Sequence, residues 1–226
     1  MRFIMLDTET TGLSAKDGDR IIELGCVEII DRVMTGNDLH LYFNPEREVG
    51  TESFAIHGLS DEFLSAKPLF NTLTQKILDY LQDATLVIHN SAFDLSFLNM
   101  EYERAGFTKN CFSDKFNIID TLSMARKMHP GARCSLDALC KRYNVDASKR
   151  TVHGALLDSQ LLAQVYLGLT GGQVQMFAEK SDVSEQEVDY EWLDKTTDMP
   201  IVQVSEAEAL AHREYLQGMP SSMWQD

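Results

Sequence analysis

The sequence has no apolar run of membrane-spanning length, and its N-terminus reads as a strand without a signal-peptide pattern. It has only four cysteines, which form no C-x-x-C pair and have no zinc-like spacing with histidines: Cys26, Cys111, Cys134 and Cys140. These absences argue against a membrane protein and against a structural zinc site. We therefore expect a cytoplasmic protein whose cysteines are reduced and mostly structural.

The chain also lacks an overall basic charge. Its formal net charge is −15 at pH 7, which at first opposes nucleic-acid binding because phosphates favour basic surfaces. The charge is unevenly distributed, however: residues 178–226 contain twelve acidic and three basic residues, whereas residues 104–150 contain four acidic and ten basic residues. A solvated charged face is the default interpretation of this basic lobe (residues 104–150), and contact with a phosphate backbone is the alternative.

Two acids close to each other follow the first apolar run of the chain. Residues 3–13 read F-I-M-L-D-T-E-T-T-G-L, in which Asp7 and Glu9 are two positions apart. On an extended backbone their side chains lie on one face of the sheet and repel each other unless a cation lies between them. Oxygen ligands favour a hard divalent ion such as Mg²⁺ or Mn²⁺. The alternative is a strand that ends in an ordinary polar turn.

Two further acids follow in similar settings. Residues 85–88 predict a buried strand that runs into H-N-S-A-F-D, which contains Asn90, Phe93 and Asp94 and opens a helix. Asp94 could also serve as a helix cap, and Phe93 could belong to the core. Asp158 lies five residues after His153 and leads into a helix with apolar residues at helical spacing. His153 or Asp158 alone would normally be a surface residue.

The three strings D-T-E-T-T-G-L, H-N-x-x-F-D and H-x(4)-D, in this order, resemble the motifs of the DEDD family of 3′–5′ exonucleases in its histidine version. The resemblance covers roughly residues 1–170 and implies an RNase H-like α/β fold with a mixed central sheet flanked by helices. It implies hydrolysis that releases nucleoside 5′-monophosphates with two divalent ions, Mg²⁺ or Mn²⁺. The implied metal ligands are Asp7, Glu9, Asp94 and Asp158, of which Asp7, Glu9 and Asp158 also contact the substrate. His153 is the implied general base.

The resemblance adds substrate contacts that the sequence pattern alone does not reveal. Residues 44–58 read as a loop, and within it Glu52 and His57 would lie beside the 3′-terminal nucleotide. Asn90 and Phe93 would position the nucleotide that is cleaved. Asp120 is ambiguous, because an acid at a strand end could support the metals or cap the next helix, and we leave it outside the catalytic set.

Hydrophobic periodicity predicts the elements around these motifs. We expect strands over 20–30, 39–43, 85–88 and 117–119, with a turn over 31–37. Helices are expected over 70–81, from about 94 to 106, from 121 towards 128, over 136–143, and from about 158 to 169.

The C-terminal part predicts contacts with other proteins. Gln173, Met176 and Phe177 lie in a Q-x-x-Φ-F string that resembles a sliding-clamp-binding peptide, although a helix end with exposed apolar residues is the plain alternative. An acidic, flexible linker follows, and residues 205–208 form a capping box before a short helix. We expect an exonuclease domain over 1–171, the clamp peptide and linker over 172–200, and a polymerase-binding tail over 201–226.

This layout resembles the family of proofreading subunits of bacterial DNA polymerase III. The resemblance implies four partners: a frayed or single-stranded DNA 3′ end, the catalytic alpha subunit bound by the tail, the sliding clamp, and a small theta-like accessory subunit. Two alternatives stay open, namely an RNase T-like RNA exonuclease and a protein that acts mainly as a replisome assembly module.

Overall fold

The computed structural model describes residues 1–148, 150, 152–171 and 205–217. The chain separates into two compact units, Met1–Ala178 and Glu179–Asp226. The clamp-peptide residues Gln173, Met176 and Phe177, and the linker up to residue 200, lie outside the described residues. The predicted boundaries after residues 171 and 200 stay predictions.

The first unit is built on a six-stranded mixed sheet. Its strands are β1 (Arg2–Thr10), β2 (Ile21–Ile30), β3 (Val33–Met34), β4 (Leu39–Tyr42), β5 (Thr85–Ile88) and β6 (Asn117–Asp120). The order is β3-β2-β1-β5-β6, and β4 also pairs with β2. β1 runs antiparallel to β2 and parallel to β5, and β6 is parallel to β5.

Helices cover both faces of the sheet. In chain order they are α1 (Thr51–His57), α2 (Asp61–Ser65), α3 (Phe70–Leu81), α4 (Ser91–Arg104), α5 (Cys111–Lys115), α6 (Thr121–Met128), α7 (Leu136–Arg142) and α8 (Ala155–Thr170). A short 3₁₀ turn covers Ala15–Asp17. The long predicted helices and the strands β2, β4, β5 and β6 are confirmed to within a few residues.

The alternation of side chains along β1 decides which core each residue joins. Ile4 and Leu6 lie in a hydrophobic cluster with α3 and α4, whereas Met5 lies in a cluster with α7 and α8. Because side chains alternate between the faces of a strand, Asp7 and Glu9 point to the side of Met5. The sheet therefore directs both acids towards α8.

A glycine lets α8 come very close to the sheet. Gly25 pairs with Asp7 across β1 and β2, and a Cβ atom there would lie 2.2 Å from the backbone carbonyl carbon of Ala155. The Ser159 hydroxyl donates a hydrogen bond of 2.9 Å to the Gly25 carbonyl. The start of α8 is thus fixed against the strand pair that carries the first two acids.

The structure corrects the expectation of a loop over residues 44–58. Residues 51–57 form α1. Gly50 is its N-cap residue and Gly58, with φ of 71°, is its C-cap residue. The two buried side chains of α1 are Ser53 and His57, and its apolar residues Phe54 and Ile56 are exposed. An apolar period therefore could not predict α1, although a glycine at the C-terminal end is a common stop signal. The short helices α2 and α5 were likewise not predicted.

In the second unit, residues 206–217 form α9 (Glu206–Gln217). The Ser205 hydroxyl accepts from the Glu208 amide at 3.3 Å, and the Glu208 carboxylate accepts from the Ser205 amide at 3.0 Å. This reciprocal pair is the predicted capping box. Among the described residues, no helix is both long and apolar enough to cross a bilayer.

Replacing Gly25 by alanine should destabilise the fold. The added methyl group would collide with the backbone at the start of α8, so we expect a loss of about 1–3 kcal/mol in the free energy of unfolding, measured with urea. Gly154→Ala is the control, because a Cβ there would meet only a Glu23 oxygen at 4.0 Å. Equal stability of Gly25→Ala and wild type would show that α8 does not depend on this close approach.

Candidate active site

Asp7 and Glu9 lie near the end of β1, on the face that carries α8. Both side chains are partly buried. Thr8, between them, points to the opposite face, where its hydroxyl donates a hydrogen bond of 2.7 Å to Asp94 Oδ1. β1 thus supplies two acids on one side and a hydrogen-bond donor for a third acid on the other.

Asp94 lies in the first turn of α4 and is only 3% exposed. Asn90, with φ of 65°, is the N-cap residue of this helix, and its side chain makes no capping hydrogen bond. Asp94 therefore does not cap α4, and its carboxylate is held by Thr8 instead. By contrast, Asp120 caps α6 by accepting from the Leu122 amide at 2.9 Å.

Asp158 lies in the first turn of α8 and is 3% exposed. His153 precedes this helix, and its backbone amide donates to the Ile56 carbonyl of α1 at 3.0 Å. Its Nδ1 lies 3.5 Å from Asp158 Oδ2, and its side chain is 47% exposed. A buried acid and an accessible imidazole are thus adjacent, as the third motif predicted.

All five predicted catalytic residues line one open cleft of about 700 Å³. Asn90 and Phe93 line the same cleft, as do Thr8, His89, Arg126, Arg133, Asp137 and Arg150. The predicted catalytic residues come from β1, α4, α8 and the segment before α8, which are far apart in sequence. The fold therefore brings together acids, a histidine and several arginines in one site.

The pKa values of three of the carboxyl groups are raised. Burial is the main cause for Asp7, and the charges of Asp94, Glu9 and Asp158 add to it. Burial and the charge of Asp158 raise the pKa of Glu9 to about 8. Burial also raises the pKa of Asp94 to about 7, against the lowering effect of the Thr8 hydrogen bond. The site therefore favours either bound protons or a bound cation.

The donor set fits a hard divalent cation. One ligand atom each from Glu9, His153 and Asp158 lie within 4.8 Å of one another, and Asp7 and Asp94 line the same cleft. Carboxylate oxygens dominate this set, and they are the ligands that Mg²⁺ and Mn²⁺ prefer. A cation there would stabilise the charged carboxylates and so oppose the burial that is the main cause of the three raised pKa values.

Two predicted substrate contacts lie outside this cleft. Glu52 is exposed on α1 and does not line it. His57 is 4% exposed, its Nδ1 accepts from the Leu59 amide at 3.0 Å, and its Nε2 is buried without a hydrogen-bond partner. Burial lowers the pKa of His57. Both residues therefore belong to α1, whose Ile56 carbonyl accepts from the His153 amide, and neither lines the cleft.

Sequence reasoning missed two residues that hold the acids. Thr8 was counted only as part of the first motif, and Arg150 only as part of the basic lobe. Arg150 binds Asp158 through Nε and Nη2, at 2.5 and 2.7 Å. The position of Arg150 three residues before His153 is the signal that the sequence offers, and a sequence pattern cannot show that this side chain reaches Asp158.

Comparisons with known proteins agree with this geometry. A family model described as "Exonuclease" matches residues 4–166. The chain is 46% identical over 219 residues to the DNA polymerase III subunit epsilon of Rickettsia typhi, covering 96% of each chain. It is 48% identical over 194 residues to that of Escherichia coli K12, covering 82% of this chain and 79% of the relative. The chain belongs to the DNA polymerase III epsilon subunit family of exonucleases.

Solved structures with low sequence identity share the fold of this epsilon-family chain. Exonuclease X in complex with 5′-overhanging duplex DNA is 22% identical, with a TM-score of 0.58 over 78% of this chain and 93% of that one. The nuclease domain of 3′hExo, a DEDDh family member bound to rAMP, is 18% identical, with a TM-score of 0.63 over 74% and 90%. The predicted RNase H-like α/β fold is confirmed, and membership of the epsilon family confirms the predicted proofreading 3′–5′ exonuclease.

The raised pKa of Glu9 predicts how the stability of the metal-free protein depends on pH. Because the folded protein keeps a proton that the unfolded chain loses above pH 4.5, stability should fall as the pH rises from about 5 to about 8. Glu9→Gln removes this penalty, so in EDTA it should exceed wild type by about 1 kcal/mol or more at pH 8, and by less at pH 5.

Urea denaturation at both pH values measures this difference, with Glu62→Gln as the control because Glu62 is exposed on α2. A Glu9→Gln variant that is no more stable than wild type at pH 8 would show that the charged Glu9 carboxylate, buried beside the other acids, does not destabilise the folded protein.

Proposed function

We propose that this protein removes mispaired 3′-terminal nucleotides from DNA by hydrolysis with two divalent cations, Mg²⁺ or Mn²⁺. The observation that carries the proposal is the convergence of Asp7, Glu9, Asp94 and Asp158 with an accessible histidine in one cleft. Buried acids of like charge are costly unless a cation or protons compensate them. Their retention together is therefore best explained by a cation-dependent reaction.

The four carboxylates would hold the cations. Bound there, the cations supply a hydroxide-like nucleophile near neutral pH and neutralise charge on the phosphate during the reaction. Thr8 fixes one oxygen of Asp94, and the close approach of α8 at Gly25 fixes the position of Asp158. These contacts would preorganise the ligands before the substrate arrives.

His153 would act as the general base. Histidine is the side chain that most often transfers protons in enzymes. His153 is accessible on the segment before α8, so it can accept a proton from the attacking water. The water oxygen bonds to phosphorus as the bond to the 3′ oxygen breaks, and the products are a nucleoside 5′-monophosphate and a shortened strand with a 3′ hydroxyl.

The terminal nucleotide would bind along the cleft. Asn90 and Phe93 line it and would position the nucleotide that is cleaved. Glu52 and His57 on α1 would contact the 3′ end. Uptake of one unpaired terminal nucleotide in this cleft would favour frayed ends.

The C-terminal part would attach the enzyme to its partners. Gln173, Met176 and Phe177 would bind the sliding clamp, and the tail over 201–226 would bind the polymerase alpha subunit. The described part of the tail supports this, because α9 exposes Leu210 and Tyr215, at 58% and 65%, and an isolated helix of its length is marginal in water. A theta-like accessory subunit and a cytoplasmic location complete the proposal.

The proposed function is tested by trimming of a primer-template with a mispaired 3′ end in Mg²⁺ or EDTA. We expect release of 5′-monophosphates in Mg²⁺, faster from mispaired than from matched DNA, and none in EDTA. Asp7→Asn and His153→Ala should each reduce the rate about 10²-fold or more. Asp79→Asn is the matched control, because Asp79 is exposed on α3 and bonded to Gln75.

Two outcomes would contradict the proposal. Faster trimming of single-stranded RNA than of mispaired DNA would favour the RNase T-like alternative. Complete inactivity of wild type with every substrate and metal would favour an assembly module without catalysis.

A further inference from the structure

Arg150 occupies a central position that the proposed reaction leaves unexplained. Its guanidinium binds both oxygens of Asp158, at 2.5 and 2.7 Å, and its Nη2 lies 3.0 Å from His153 Nδ1. Its Nη1 donates to Asp137 Oδ1 at 2.6 Å. The Arg150 side chain is 9% exposed and that of Asp158 is 4% exposed. One buried guanidinium thus contacts both a proposed metal ligand, Asp158, and the proposed general base, His153.

A guanidinium and a divalent cation would compete for Asp158. The two-pronged pairing uses both carboxylate oxygens in the geometry in which arginine binds carboxylates most strongly. A divalent ion beside Glu9 and His153 would need one of these oxygens and would also repel the guanidinium charge. Because the Arg150 and Asp158 side chains are both buried, this competition is weakly screened.

We propose that Arg150 is a positioning residue that holds Asp158 and His153 while no cation is bound, and that cation binding displaces its guanidinium from Asp158. The proposal rests on the proposed function, because it requires a cation at the acidic cluster. Without a cation, Arg150 supplies the positive charge that the acids require. With a metal cation bound, the Arg150 guanidinium leaves Asp158 and can contact another anionic group.

Asp137 keeps the displaced guanidinium at the cleft. Its side chain is 60% exposed at the start of α7, and it contacts a different nitrogen of Arg150 from those that bind Asp158. Arg150 can therefore leave Asp158 and remain anchored through Nη1. A guanidinium held at the edge of the cleft can bind a phosphate oxygen of the substrate. This positive charge is needed there only when a nucleic acid is bound.

A purely structural role for Arg150 makes a different prediction. If the residue only braces the segment before α8, its removal would lower stability and weaken cation binding, because Asp158 and His153 would become disordered. If Arg150 competes with the cation, its removal should strengthen cation binding even though the metal-free protein becomes less stable. Cation affinity therefore separates the two roles without any measurement of activity.

Mn²⁺ affinity, measured by electron paramagnetic resonance of free Mn²⁺, tests the proposal in full-length wild type, Arg150→Lys and Arg150→Ala. Urea denaturation in EDTA first verifies that each variant is folded. Arg150→Lys keeps the positive charge but cannot bind both oxygens in the same plane. Arg142→Lys is the matched control, because Arg142 is exposed and contacts only the Arg133 carbonyl, at 3.5 Å, among its described hydrogen bonds.

We expect both Arg150 variants to bind Mn²⁺ at least about tenfold more tightly than wild type, as the loss of a charged hydrogen bond implies. Arg142→Lys should bind like wild type. Equal or weaker binding by both Arg150 variants would overturn the proposal while leaving the proposed function intact. Tighter Mn²⁺ binding by Arg150→Ala but not by Arg150→Lys would also overturn the proposal. That result would reflect the change in net charge and not competition for the Asp158 oxygens. No Mn²⁺ binding by wild type would overturn both proposals.

Discussion

The burial of several like-charged carboxyl groups in one cleft is the constraint on which the rest of the first unit depends. Asp7, Asp94 and Asp158 gather at one end of the sheet, and the pKa values of Asp7 and Asp94 are raised mainly by burial. The fold sustains this arrangement by fixing the backbone around the acids. β1 pairs with strands on both sides, and Gly25 admits α8 to direct contact with β2. The acids cannot separate without breaking the core.

Several arginines lie beside the buried carboxyl groups and supply positive charge to the cleft. The chain is strongly acidic overall, yet Arg126, Arg133 and Arg150 all line the cleft. Arg150 pairs with Asp158 itself. Twelve of the acidic residues lie over 178–226, outside the residues that line the cleft, so net charge alone misjudges the charge around the site. Local charge around the site is the better guide.

Much of the fold and site could be predicted from the sequence, for physical reasons that differ between elements. Helix α3 and strand β5 follow from apolar periodicity, and Asp7 and Glu9 follow from the two-residue period of a strand. Helix α1 could not be predicted this way, because it buries a serine and a histidine and exposes its apolar residues. The pairing of Arg150 with Asp158 depends on how the chain folds, which no local sequence pattern predicts.

If the four carboxylates lie together because they bind cations, Mn²⁺ anomalous scattering from crystals of the protein tests this most directly. We expect anomalous peaks bounded by Asp7, Glu9, Asp94 and Asp158, and we expect them to disappear in crystals of Asp7→Asn. The Asp158 carboxylate should then face the peak and not the Arg150 guanidinium. An absence of anomalous density in the cleft at saturating Mn²⁺, with the Arg150–Asp158 pair unchanged, would show that the carboxylates do not form a cation site.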